Sequence, residues 1–162
     1  MSRAFVKEDD QVAGPPALPD RPISHEPNLV TARGLGLIEQ AIALAQRHLT
    51  AAAATGDADA TARWQRDLRY WTARHATAQL TEPATDAASV VFGVAVTGQR
   101  EDGRAVTFRL VGEDEADPAQ GRIAWTAPVA RTLLGSEPGD TRELPTGSIE
   151  VTAIDPRPEA AT

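Results

Sequence analysis

The hydrophobic period of this chain changes once, and that change limits what it can fold into. Between Thr31 and Leu80 apolar residues recur at spacings of three and four, while from Ala88 onward they recur at every second position. The first spacing lines one face of a helix and the second lines one face of a strand. Helices first and strands afterwards describe an α+β chain, not the alternating pattern of a parallel α/β sheet.

The helical half divides in two. Leu35, Ile38, Ile42, Ala45 and Leu49 form a heptad seam, with Thr31 as N-cap and Gly56 as the stop after an alanine run. Gly34 and Gly36 weaken the start of this helix. A second seam runs through Trp64, Leu68, Trp71, His75 and Ala78, leaving Arg63, Arg66, Arg69 and Arg74 mostly off the stripe. Two helices joined by so short a turn are antiparallel neighbours, each covering the other's seam. Arms of about 22 residues would be ~33 Å long at the helical rise. Residues 31–80 are thus expected to form an antiparallel coiled-coil hairpin.

Residues 1–30 carry Pro15, Pro16, Pro19, Pro22 and Pro27 and read as an extended tail, with Pro27–Val30 ordered as the hairpin begins. Residues 81–87 read as a linker. Residues 88–155 read as a β domain: strand-like runs over 88–99 and 104–112 joined by an Asp102-Gly103 turn, then a strand over 121–126. A short helix follows over 127–135, and two more strands flank a Pro-Thr-Gly turn. Residues 156–162 read as a disordered tail.

Composition narrows the function classes. The chain has 162 residues, is 41% hydrophobic and contains no cysteine, which excludes disulfides, thiolate metal sites and a cysteine nucleophile. No apolar run approaches the ~20 residues of a membrane span, and the opening residues lack the apolar stretch of a secretory leader. A cytoplasmic monomer without membrane contact is the expectation. The net charge of −7 argues against non-specific nucleic-acid binding. That charge is uneven, since residues 31–80 hold six arginines against four acids and residues 86–162 hold seven against thirteen. A basic hairpin and an acidic β domain are the result.

Specific chemistry is sparse. Four acids between Glu113 and Asp117 do not follow the alternating pattern of a calcium loop, and a solvated loop is the expected reading, with partner contact open to it. His25, His48 and His75 are far apart in the sequence, which argues against a metal site, and His75, on the seam, is expected to be packed or partly exposed. The tryptophans of the second helix could stack on bases, but their spacing favours core packing. Gly34-Leu35-Gly36 follows no strand and is not a dinucleotide loop. What remains is a basic helical rod with Asp57 and Asp59 at its tip, a shape suited to reaching into another molecule.

The segment Phe108–Gly135 resembles the C-terminal domain of the GreA/GreB family of bacterial transcript-cleavage factors. Val111-Gly112-Glu113-Asp114-Glu115 and Pro128-Val129-Ala130-Arg131-Thr132-Leu133-Leu134-Gly135 carry the match, supported by Gly139-Asp140 and the later Pro-Thr-Gly turn. Thr31-Ala32-Arg33-Gly34 is similar to the family's opening, and Asp67–Leu80 to the end of its coiled coil. The likeness covers about residues 29–155, and the opening residues look like a GreB-like subgroup. It implies an FKBP-like C-terminal domain that docks on bacterial RNA polymerase through Thr126, Pro128, Val129, Arg131, Leu133 and Leu134. It implies a hairpin in the polymerase secondary channel, with Arg63, Arg66 and Arg69 facing the channel wall. Nascent RNA would be met at most indirectly. Tip acids in the family share the polymerase's Mg²⁺ and position a water; Asp57 matches the first of them, and Asp59 is the candidate substitute for the second, though from a different direction. The factor is not itself an enzyme and has no intrinsic metal or cofactor.

The departures fall at the tip and the docking motif. The family's second tip acid is replaced by Ala60, its asparagine by Thr61, and both arms are shorter by roughly ten residues, about 15 Å of reach. At the docking motif Thr126-Ala127 precede the proline where an acid and a serine often stand. Weak or absent cleavage stimulation is therefore expected. Two other readings remain, a non-cleaving channel competitor of the Rnk type and an FKBP-type prolyl isomerase. The latter would have only Phe92, Phe108 and Trp125 to line its pocket.

Overall fold

The structure, a computed structural model, describes residues 17–159. The remainder of the proline-rich segment (1–16) and the last three residues of the expected C-terminal tail lie outside the described residues.

The first described residues, 17–28, form no helix or strand. The short strand β1 (Leu29–Val30) leads through Thr31 into helix α1 (Ala32–Thr55), and helix α2 (Ala58–Thr77) returns antiparallel to it. The Thr31 hydroxyl caps α1 by accepting from Gly34 N at 2.9 Å, as its position before the apolar seam predicts. Ile38, Ala45 and Ala52 are buried along α1, continuing the expected heptad seam into the alanine run. Strand β2 (Gln79–Leu80) follows α2 and pairs parallel with β1, Leu29 opposite Gln79 and Val30 opposite Leu80. The buried Asn28 amide fixes the same junction by donating to Arg74 O at 2.7 Å.

The second half is a five-stranded sheet. Strands β3 (Ala95–Arg100) and β4 (Ala105–Val111) form the expected hairpin. Strand β5 (Arg122–Ala124) adds parallel to β4, and a crossing helix α3 (Pro128–Leu133) leads to β6 (Thr141–Leu144) and β7 (Gly147–Asp155). The order is β5-β4-β3-β7-β6, with β7 antiparallel to both its neighbours. Val90, Val94, Val96, Leu110, Ile123, Ala130, Leu133, Leu144, Ile149 and Val151 form one aliphatic core beneath α3. The fold is thus α+β, a helical hairpin followed by a curled sheet.

One expected strand begins late. Residues 88–94 are not strand although Val90, Phe92 and Val94 are buried. Gly93 takes φ 89°, a left-handed conformation that breaks the extended run. Val90 is instead pinned to the end of α3 by a backbone bond to Ser136 O and one from Gly135 N, both 2.8 Å. Residues 156–159, expected in a loose tail, lie against β4 and β5. There Arg109 donates to Arg157 O at 3.0 Å and Arg122 pairs with Glu159.

Candidate functional site

The tip is built by two consecutive caps. Gly56, at φ 70°, ends α1, and its N–H and that of Asp57 reach back to Ala53 O and Ala52 O. Asp57 then starts α2, and its Oδ1 accepts from Ala60 N at 2.9 Å. The Thr61 hydroxyl donates back to Asp57 O at 2.7 Å. Asp59 is exposed in the first turn, where a negative charge favours the helix N-terminus. Both acids therefore serve the helix. Positions two apart on a helix do not face each other, so Asp57 and Asp59 do not form a converging pair. Just below the tip His48 and Trp64 stack with ring centroids 4.4 Å apart.

The arginines of the shaft are placed unequally. Arg63 is exposed. Arg66 donates to the adjacent Asp67 at 3.2 Å, and Arg69 donates to Asp20 at 2.7 Å and to Leu18 O. Two of the three expected channel-facing arginines are thus occupied within the chain.

At the hairpin's root the structure corrects two expectations. Arg74, expected off the seam, is 2% exposed and takes the inward place, while His75, on the seam but open to partial exposure, is 47% exposed and lies 3.6 Å from Glu39. The acidic loop, expected to be solvated, is where Arg74 goes. Arg74 Nε donates to Asp114 Oδ2 at 2.5 Å, and its Nη2 lies 3.6 Å from Glu113. Tyr70 donates to the other Asp114 oxygen at 2.6 Å. Glu115, 5% exposed, accepts from Thr31 Oγ1 at 2.5 Å and from Arg33 at 3.1 Å. These acids tolerate burial because each meets a cation or hydroxyl donor, which a solvated loop would not supply. Burial first, and then the hydrogen bond to Asp114, push the Tyr70 phenol up to about 12.

The face around α3 divides similarly. Pro128 opens the helix and is exposed. Arg131 is exposed as well, donating to Thr126 O at 2.9 Å and to Glu26 at 2.6 Å. The Thr126 hydroxyl donates to Glu113 at 3.1 Å. Val129 and Leu134 are half-buried against the core, and Leu133 is 0% exposed. Leu133 is therefore packed into the core and not presented on the surface, because the helical period that exposes Arg131 turns Leu133 toward the sheet. Phe92 is buried, and Phe108 packs on the same core. Among the described residues no three histidine, aspartate or glutamate side chains assemble into a metal-binding group, and no helix is long and apolar enough to cross a membrane.

A two-helix hairpin rooted on an acidic loop beside a five-stranded sheet is the class these observations define. Residues 85–156 match the family model described as transcription elongation factor, GreA/GreB, C-terminal. That match identifies residues 85–156 as a GreA/GreB C-terminal domain, and the curated relatives it resembles are GreA and GreB factors. It is 42% identical over 85 residues to GreA of Alkalilimnicola ehrlichii, covering 49% of this chain and 54% of the relative. It is 42% identical over 79 residues to GreB of Neisseria meningitidis serogroup B, covering 46% and 47%. The chain spans about half the length of these curated relatives. Among solved structures, GreA factor homolog 1 (Gfh1) of Thermus thermophilus covers 80% of this chain and 99% of its own, at 19% identity and TM-score 0.38. The GreA/GreB factor of Nitrosomonas europaea has the same TM-score at 17% identity, over 78% of this chain and 98% of that one. Overlap at that level carries no weight in the assignment.

Proposed function

We propose that this protein is an RNA polymerase-binding transcription elongation regulator that does not stimulate transcript cleavage strongly. The α3 face, through Pro128 and Arg131, docks on the polymerase, and the hairpin enters the secondary channel. The chain acts by occupying and modulating the polymerase and catalyses nothing alone. The observation that carries the non-cleaving part is the tip. Asp57 has one carboxylate oxygen engaged in capping its own helix, and Ala60 stands where a second acid would be needed. Asp59, two positions on, faces another way. A catalytic carboxylate must hold metal and water to within about an ångström, and this arrangement has no converging pair with which to do so.

A cleavage assay on backtracked elongation complexes tests the reading. The expected result is little acceleration and no change on Asp57→Ala. Robust cleavage that Asp57→Ala abolishes would overturn it. Co-purification with core polymerase tests the docking half, with binding expected to fall on Arg131→Glu and on Pro128→Ala.

A further inference from the structure

Before entering the hairpin, the chain runs along it. Ala17 lines one shallow depression with Ala53, Gly56 and Thr61 near the tip, Leu18 and Asp20 meet Arg69, and Glu26 meets Arg131 on α3. Between them Arg21 lies over the Tyr70 ring at 3.7 Å and over Trp71 at 5.2 Å, and is 3.8 Å from Asp67. We propose that residues 17–27 are an autoinhibitory strap, which covers in cis a face of arginines and aromatics that an extended acidic partner segment occupies in trans. This inference rests on the docking role proposed for Arg131 and the channel role expected of Arg69.

Three observations support a displaceable cover. First, the strap's acids fall on two arginines, Arg131, through which docking is proposed, and Arg69, expected to face the channel. Second, among the described residues its backbone joins no ladder. From Ala17 to Glu26 the only hydrogen bonds made by main-chain atoms are Leu18 O to Arg69 and Glu26 N to the Ser24 hydroxyl. Pro19 and Pro22 lack the N–H needed to do more. Third, the two ion pairs made by its acids are exposed, Arg69 and Asp20 at 47% and 72%, Arg131 and Glu26 at 55% and 41%, and its third pair, Arg21 with Asp67, is long at 3.8 Å. Pairs this wet contribute little each and weaken with salt, unlike the buried pairs at the hairpin's root. An extended segment with two acids and an arginine between them, acidic on balance, is the ligand chemistry the face accepts, because the strap is itself such a segment.

A structural splint would make the same contacts, and the two readings separate in solution. The probe is a fluorescent synthetic peptide with the sequence of residues 17–27, added to the 162-residue chain and to its Asp20→Asn/Glu26→Gln variant. Weakening the strap in cis should let the peptide bind about five-fold or more tighter in trans, since a tethered competitor acts at high effective concentration. Adding Arg69→Ala and Arg131→Ala to the variant should abolish that binding. Equal binding to both chains, absence of binding to the variant, or indifference to the arginine substitutions overturns the proposal. In parallel, bacterial core polymerase should retain the strap variant more tightly than the native chain, and weaker retention marks a splint and also overturns it. If neither chain binds polymerase, the polymerase reading fails, and the peptide experiment still decides the strap.

Discussion

Tyr70 is the only tyrosine in the chain, so its ionisation can be followed without interference from another phenol. Burial and its bond to Asp114 hold it at about 12 in the folded protein, against about 10 in an unfolded chain. The folded state therefore binds the phenolic proton more tightly. Tyr70's contribution to stability is complete below about pH 10 and is lost as pH rises from 10 to 12. Near-ultraviolet titration should place the phenolate midpoint near 12 in the native state and near 10 in urea; a native midpoint at 10 would contradict the Asp114 contact. That contact was not legible in the sequence. Spacings of four and three from Trp64 lead through Leu68 and Trp71 to His75, yet the residue that turns inward is Arg74. A periodicity argument ranks positions by apolarity, and an arginine is not ranked as core. Nor could it know that Asp114, some forty residues on, is folded against Arg74 to receive the charge. The capping role of Asp57 was equally hidden, because a family tip acid and a helix N-cap are the same residue type in the same place.

Elements were more legible than residues. The period change located both long helices to within a few residues, and the Asp102-Gly103 turn located the β3–β4 hairpin, because each signal is local. The two-residue strands β1 and β2 left no such signal, since they pair through tertiary placement of the hairpin's ends. Strand β3 starts later than the apolar run suggests because Gly93 interrupts that run, and apolarity alone does not reveal a backbone break. Within α1 the two early glycines, alike in sequence, separate in structure. A Cβ on Gly34 would sit 2.7 Å from Glu115 Oε2, an atom held by Thr31, whereas one on Gly36 meets nothing within 4 Å. Gly36→Ala should stabilise the protein by up to about 1 kcal/mol through helix propensity. Gly34→Ala should destabilise it despite the same propensity gain, because Glu115 must give up its place. Urea denaturation of the two variants would show opposite shifts, and shifts of the same sign would refute the close approach.

For the whole molecule, the acidic loop joins the two halves. Asp114 and Glu115 reach from the sheet to opposite helices of the hairpin, Asp114 to Arg74 on α2 and Glu115 to Thr31 and Arg33 at the start of α1. Removing one partner of a buried pair strands the other, so Arg74→Ala should cost about 3–5 kcal/mol. It should also divide the unfolding into two steps, with the helical signal in circular dichroism lost before the sheet melts. A single transition at unchanged denaturant would show that the halves are coupled elsewhere. The resemblance found the loop by its motif, but a motif does not say whether its acids face a partner protein or the chain's own helices.

Those carboxylates also set how accurately the far end of the rod can be aimed. Helix α1 has 24 residues, about 36 Å at the helical rise, so a rocking of ~5° about its base sweeps the tip through ~3 Å. Angular stiffness at Arg74, Thr31 and Arg33 is therefore worth more at the tip than any contact made there, because the lever multiplies every slackness at its fulcrum. Substitutions at the root should reach function as a loss of aim, felt at Asp57 by residues that lie a full helix-length away.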